Sequence, residues 1–174
     1  MGFVHISAFD SPIGGLRIAS SERGLVFLEL PHASGRGLEG WLRCRLPGAR
    51  RSEAFAPNRA AATQILEYLE GKRTRFELPL DLRGTPFQLE VWSALLEIPY
   101  GETRSYRDVA RRLGRERAVR AVGAANGANP VALVVPCHRV VASGGGLGGY
   151  GGGLELKARL LAMERGRPAQ GRLL

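Results

Sequence analysis

The sequence predicts an α+β chain of two parts. Residues 1–82 read as a small N-terminal antiparallel-sheet and helix domain. Residues 83–174 read as a mainly helical C-terminal domain with a helix-turn-helix and a short buried strand leading to Cys137. Three observations carry this. Short apolar runs alternate with turn signals at the N-terminus, as strands do. One helical stripe follows them. From residue 83 the texture changes to short helices punctuated by caps and glycines.

FVHISAF, GLRIAS and GLVFLEL are separated by DSPIG and SSER and read as three antiparallel strands. A Gly/Pro/Arg-rich passage comes next, without an assigned element. In NRAAATQILEYLEG, Ala62, Ile65, Leu66 and Leu69 form one helical stripe closed by Gly71. Thr85 and Gln88 then have capping-box spacing with Pro86 at the first helical position, and Phe87, Val91 and Leu95 mark the buried face. SYRDVARRLG is a short helix with Val109 and Leu113 facing inward and Gly114 stopping it. AVRAVGAANGANP is a second helix ending before Pro130. Two short helices joined by a tight turn suggest helix-turn-helix, with an ordinary helical hairpin as the alternative. VALVV reads as a buried strand that Pro136 ends, which places Cys137 on the turn beyond it. The last stretch, GRPAQGRLL, reads as a disordered tail.

The chain carries 25 basic and 16 acidic residues, a net charge of +9, and only two lysines, Lys72 and Lys157. That excess favours a polyanionic partner, nucleic acid before a membrane surface. No apolar run is long enough to span a bilayer, and the N-terminus lacks the pattern of a secretory signal. Two cysteines are too few for a disulfide framework, so the expected compartment is the reducing cytoplasm.

The second helix breaks local rules. Gly123, Asn126 and Gly127 each weaken it, glycine by about 1 kcal/mol relative to alanine. Apart from Arg120 it carries almost no bulk, whereas a helix built to read the major groove needs several long polar side chains. Its slimness suits a narrow surface such as the minor groove. In VVPCHRVVA, residues 134–142, Cys137 has several readings: a core thiol, a metal ligand, half of a disulfide, or a nucleophile. His5, His32 and Cys44 are scattered singly, without zinc-ligand spacing. A disulfide to Cys44 does not suit the cytoplasm. A nucleophile needs its thiolate, and His138 is the neighbouring base, acting through a water more readily than by direct contact.

The stretch RAVGAANGANPVALVVPCHRVV, 120–141, resembles the signature of the O6-alkylguanine-DNA alkyltransferases, or methylated-DNA–protein-cysteine methyltransferases. The resemblance extends upstream through TPFQLEVWSALLEIPYGETRSYRDVA and downstream through GGYGGGLELKARLLAMER, covering 84–165. The N-terminal third matches only in its general layout.

The resemblance implies DNA repair by irreversible, single-turnover transfer of an alkyl group from O6 of guanine to Cys137. His138 would draw the thiol proton through a water, and Glu164 would orient and charge-balance the imidazole. Tyr106 would donate a proton to guanine N3. Asn129 would brace the turn before the cysteine. Arg120 would fill the gap left by the flipped nucleotide, with Ala121, Gly123 and Ala124 on the same slim helix against the DNA. Main-chain groups around Cys137, Val140, Ser143, Tyr150 and Gly151 would bind the extruded base. The implied partner is double-stranded DNA containing O6-alkylguanine, met by a monomer with no metal, no small-molecule cofactor and no membrane.

Two departures from the family pattern stand out. Gly151 follows Tyr150 where some members carry a serine, which leaves the O6 contact to backbone amides. The zinc ligands of some relatives have no counterpart. The literal G-x-G-x-x-G at Gly144, Gly146 and Gly149 fails as a dinucleotide fingerprint, because no following strand and ribose-binding acid come after it. Two rivals remain: a helix-turn-helix sensor without chemistry, which leaves Cys137 and His138 idle, and a cysteine hydrolase, which leaves the slim helix and Arg120 unused.

Overall fold

The computed structural model describes residues 2–33 and 35–166 of the 174. The chain divides into two compact units, Met1–Arg83 and Gly84–Leu174. Residues 167–174, most of the expected tail, lie outside the described residues.

In the first unit, β1 (Phe3–Ser11), β2 (Gly14–Ser21) and β3 (Gly24–Glu29) form the expected antiparallel meander. A bulge between Ala19 and Ser20 shifts the β2–β3 register. Helix α1 (Gly37–Arg45) and strand β4 (Arg50–Ser52) occupy the passage to which the sequence reading gave no element. Strand β4 pairs parallel with β1, so the sheet is mixed, in the order β3-β2-β1-β4. Leu38 and Leu42, one helical turn apart, bury the inner side of α1 against Val4, Ala19 and Val26. Helix α2 (Arg59–Leu69) buries Ala62, Ile65 and Leu69 as its stripe requires, while Leu66 is only half-buried and Tyr68 is fully buried.

Asn58, just ahead of α2, is fully buried and spends its amide on the sheet. It donates to His5 O and Ser7 Oγ, both at 2.9 Å, and accepts from Ser20 Oγ at 2.6 Å. The chain then returns beside β3 through Leu25 N to Pro79 O and Asp81 N to Leu25 O, each 2.9 Å. That approach requires Gly24: at φ +145° an added Cβ would lie 2.4 Å from Pro79 O.

The second unit opens with α3 (Pro86–Leu96), capped by Thr85 and Gln88 in a reciprocal capping box. Val91, Trp92 and Leu95 are buried on its inner face. Trp92 Nε1 donates to Ala125 O at 2.8 Å, which fastens α5 (Val119–Gly127) to α3. Before α5 come strand β5 (Arg104–Ser105) and helix α4 (Tyr106–Arg112), the latter capped by Ser105 and Asp108. Helices α4 and α5 pack against each other, as both the helix-turn-helix and the hairpin readings require, with Val109, Val122 and Ala125 buried.

One expectation is corrected. VALVV is not a strand: residues 131–135 form a fully buried turn in which Val135 N bonds to Val131 O at 2.9 Å. Leu133 sits there at φ +71°, a left-handed conformation that no strand contains. The run is apolar because it is buried on all sides, and periodicity cannot separate such a segment from a strand. The strand comes after the cysteine instead. Strand β6 (Val140–Val141) pairs parallel with β5, placing Arg104 opposite Val140 and Ser105 opposite Val141. Helix α6 (Leu154–Glu164) ends the described chain. No described helix is long and apolar enough to cross a membrane.

Candidate active site

Cys137 opens a 3-10 turn, Cys137–Arg139, directly after Pro136. The turn before it is held by one side chain. Asn129 Oδ1 accepts from Val131 N at 3.0 Å, and its Nδ2 donates to Val135 O at 2.8 Å. The same amide also opposes the rise that burial causes in the Cys137 thiol pKa. From the other side, Asn126 of α5 donates to Cys137 O at 3.3 Å. Cys137 is 7% exposed, and burial pushes its thiol pKa up, so the resting group is protonated.

His138 is fully buried, with Nε2 2.8 Å from Glu164 Oε1. Burial lowers the imidazole pKa and the bond to Glu164 opposes that shift; the ring is neutral. Glu164 sits at the end of α6 and also holds a forked pair with Arg139, Nε to Oε2 at 2.9 Å and NH2 to Oε1 at 3.0 Å. Gly101 N donates to Glu164 Oε2 at 3.2 Å. Arg139 has a third bond, to Ile98 O at 2.7 Å, and lies over the Tyr100 ring. A buried carboxylate with four donors stays ionised, and Arg139 balances its charge.

Tyr106 is the first residue of α4, half-buried, with its hydroxyl near the Gly149 backbone. Burial raises its pKa, so it holds its proton at neutral pH. The Gly-rich loop passes close above it. At Gly148, φ +72°, a Cβ would lie 2.7 Å from the Tyr106 hydroxyl, so only glycine fits. Within that loop, Ser143 and Gly151 are exposed. The Tyr150 hydroxyl is buried and has no hydrogen-bond partner among the described residues; burial raises its pKa well above the usual phenol value. Val140 is buried in β6. On α5, Arg120, Ala121 and Ala124 are exposed and Gly123 is half-buried. The structure therefore gathers Cys137, His138, Glu164, Asn129, Tyr106, Tyr150 and Val140 around one buried turn. Arg120, Ala121, Ala124, Ser143 and Gly151 face solvent.

Three residues of this cluster escaped the sequence reading. Arg139 looked like one arginine among many. Asn126 was noted only as a poor helix former. Lys157, on α6, is fully buried and donates to Val140 O at 2.6 Å and Gly149 O at 3.1 Å. It ties β6 to the Gly-rich loop, and its ammonium lies 6.0 Å from the Tyr106 ring centroid. Burial lowers its pKa to about 8. Its one sequence signal is rarity, as one of two lysines. Among the described residues no group of three or more His, Cys, Asp or Glu is placed to hold a metal.

Two family models match in tandem. Residues 4–82 match the 6-O-methylguanine DNA methyltransferase ribonuclease-like domain, and residues 86–166 match the DNA-binding domain of the same family. The chain belongs to the 6-O-methylguanine DNA methyltransferase family. An inducible methylated-DNA–protein-cysteine methyltransferase of Bacillus subtilis is 49% identical over 85% of this chain and 83% of its own. The methylated-DNA–protein-cysteine methyltransferase of Mycobacterium tuberculosis is 46% identical over 94% of each chain. A crystal structure of Mycobacterium tuberculosis OGT in complex with DNA superposes with a TM-score of 0.80 at 44% identity, covering 95% of this chain and 96% of that one. The two-part α+β architecture and the enzyme class expected from the sequence agree with this family. Methyltransferases of this family are named for a protein cysteine, and the match spans the segment that holds Cys137.

Proposed function

We propose that the protein repairs duplex DNA by moving the alkyl group from O6 of an extruded guanine to Cys137, once per molecule and acting as a monomer. The supporting observation is the seat of the thiol. Asn126 ties the main chain of Cys137 to α5, so the helix offered to DNA and the acceptor form one body.

The steps follow from the residues. A base inside a duplex hides O6, so it must rotate out, at a cost of a few kcal/mol. Arg120 is exposed on the slim helix and fills the space left behind. Gly123 is not demanded by internal packing, since a Cβ there would lie 3.8 Å from the Tyr106 ring, an ordinary contact. Its smallness serves close approach to the minor groove, with Ala121 and Ala124 beside it. The extruded base lies between the Cys137 turn and the loop, against Val140, Ser143, Tyr150 and Gly151.

Cys137 Sγ then attacks the alkyl carbon in line with the C–O6 bond. A new S–C bond forms, the C–O6 bond breaks, and its electron pair passes to the guanine. The thiol proton leaves through a water to His138. With Glu164 ionised by Arg139, the imidazole carries its hydrogen on Nε2, which makes Nδ1 its basic site. Tyr106 gives a proton to guanine N3, so the base departs neutral. The product is a thioether, and nothing gathered around Cys137 supplies a hydrolytic route back, hence the single turnover.

The test is intact-protein mass after mixing with duplex carrying one O6-methylguanine, followed by peptide mapping. The expected result is one methyl on Cys137, saturating at one per protein and absent from Cys137→Ala, which still binds the duplex. Binding without transfer by the unaltered protein identifies a lesion sensor. Thiol-dependent ester hydrolysis without DNA identifies a cysteine hydrolase.

A further inference from the structure

Helix α6 carries two buried charges on its inner face. Lys157 and Glu164 stand seven residues apart, which is about 10 Å along the axis. Their surroundings differ. Glu164 is matched by His138, Arg139 and Gly101 N. Lys157 is fully buried, yet among the described residues no carboxylate lies within ion-pair distance of it. The exposed Lys72, by contrast, pairs with Glu70 at 2.6 Å.

The bonds of Lys157 do not account for its charge. It donates to Val140 O at 2.6 Å and to Gly149 O at 3.1 Å. Two carbonyls need two donors, which an uncharged amide supplies. A buried ammonium forfeits its hydration, and only an opposite charge nearby offsets that loss. The groups facing it are neutral at rest: the Tyr106 ring of α4, and Cys137 and His138 of the turn before β6. Next to the bonded Gly149, Tyr150 also keeps its proton.

The two charges of α6 act on different members of the cysteine turn. Burial raises the thiol pKa of Cys137, and the Asn129 amide and then the Lys157 charge oppose that rise. Burial lowers the imidazole pKa of His138; Glu164 opposes the fall, while Lys157 adds to it. The charge that acts back on Lys157 is that of Cys137. The cation therefore serves the sulfur, and the carboxylate serves the imidazole.

We propose that Lys157 is the counter-charge of the Cys137 thiolate, a positioning residue that α6 supplies to the sulfur as it supplies Glu164 to the imidazole. This rests on the repair reading above and deepens it. The thiol proton passes through the water to His138, leaving the thiolate near the ammonium and the imidazolium against Glu164. Lys157 gives up no proton. Once the S–C bond forms and the C–O6 pair passes to guanine, the sulfur is a neutral thioether and Lys157 again lacks a counter-charge.

The experiment follows methyl transfer in a single turnover, at saturating O6-methylguanine duplex, from pH 6.5 to pH 9.5. It compares the unaltered protein with Lys157→Gln, whose amide keeps two donors for the two carbonyls but carries no charge. In the unaltered protein the charge is present below the lysine pKa of about 8 and lost above it. The amine that remains still has two N–H groups, so the bonds persist when the charge goes. At pH 7, Lys157→Gln is expected to transfer about tenfold more slowly, the effect of one unit of thiol pKa. By pH 9.5 that gap should close. A gap of the same size at every pH makes Lys157 a structural tie, and no gap at pH 7 removes its role. Either result overturns the proposal and leaves the repair reading standing.

Circular dichroism checks that Lys157→Gln folds. If it does not, the unaltered protein carries the test. With only two lysines in the chain, carbon-13 lysine labelling shows the titration of Lys157 directly by NMR, with undamaged duplex bound. A transfer rate that bends downward at that midpoint supports the assignment, and one that runs through it unbent overturns it. An unaltered protein that transfers no methyl group overturns both readings.

Discussion

Cys137 is buried, neutral and next to a neutral histidine, and burial of this kind keeps a thiol from oxidants. Glu164 is the residue on which that arrangement turns, because it joins His138 to the buried Arg139. Glu164→Ala would strand a guanidinium in the interior. It is expected to cost about 3–5 kcal/mol in urea denaturation. A loss below about 1 kcal/mol would show that water replaces the carboxylate.

Lys157 provides a pH test with a definite sign. Its folded pKa of about 8 lies below the ordinary lysine value of 10.5. Between those values the unfolded chain binds the proton and the folded chain does not, so this group makes stability rise with pH. The cost of burying the ammonium is complete below pH 8 and relieved above it. Unfolding free energies of the unaltered protein and Lys157→Met, compared at pH 7.5 and pH 10, should therefore shift in favour of the unaltered protein at the higher pH. A constant difference across that window would mean that the lysine is solvated.

The turn at 131–135 is the element that aims the thiol, and its hydrogen bonds come from Asn129 in place of a sheet ladder. Asn129→Ala leaves Val131 N and Val135 O without these partners in a buried segment. The expected loss is about 1–3 kcal/mol, accompanied by a slower methyl transfer at saturating DNA. Full transfer rate with reduced stability would confine Asn129 to folding. Helix α4 depends on its box: Ser105→Ala removes the cap that starts the helix at Tyr106, with an expected cost of about 1 kcal/mol. The pairing of β5 with β6 makes that cap more than local, since Ser105 lies opposite Val141, just past the cysteine turn.

For the whole molecule, the burial of Cys137 has a consequence for the proposed transfer. A methyl group added to Cys137 enters a turn in which residues 131–140 are all buried. Overpacking of this kind costs about 1–3 kcal/mol, and each kcal/mol moves the midpoint of a chain this size by about 2–4 °C. The methylated protein should melt several degrees below the unreacted one in differential scanning calorimetry. Equal midpoints would show that the methyl occupies space already present for the substrate.

Much of the fold was legible because its signals are local. The three N-terminal strands follow from alternation and turns, and α3 from Thr85, Pro86 and Gln88, which set a helix start within four residues. Helix α1 was missed because Leu38 and Leu42 make a short stripe hidden among glycine, proline and arginine. VALVV was misread because a buried turn and a buried strand have the same composition; the left-handed Leu133 sits in a turn held by Asn129, by the Val135 N to Val131 O bond and by the packing around it. The sequence by itself determined the chemistry available, a thiol beside an imidazole behind a helix with little bulk, because residue identity alone supplies it. Tertiary structure alone decided how that chemistry is tuned. Asn126 of α5, Arg139 of the cysteine turn, and Lys157 and Glu164 of α6 come from three different segments, and burial, which gives each of their charges and hydrogen bonds its strength, exists only once those segments meet.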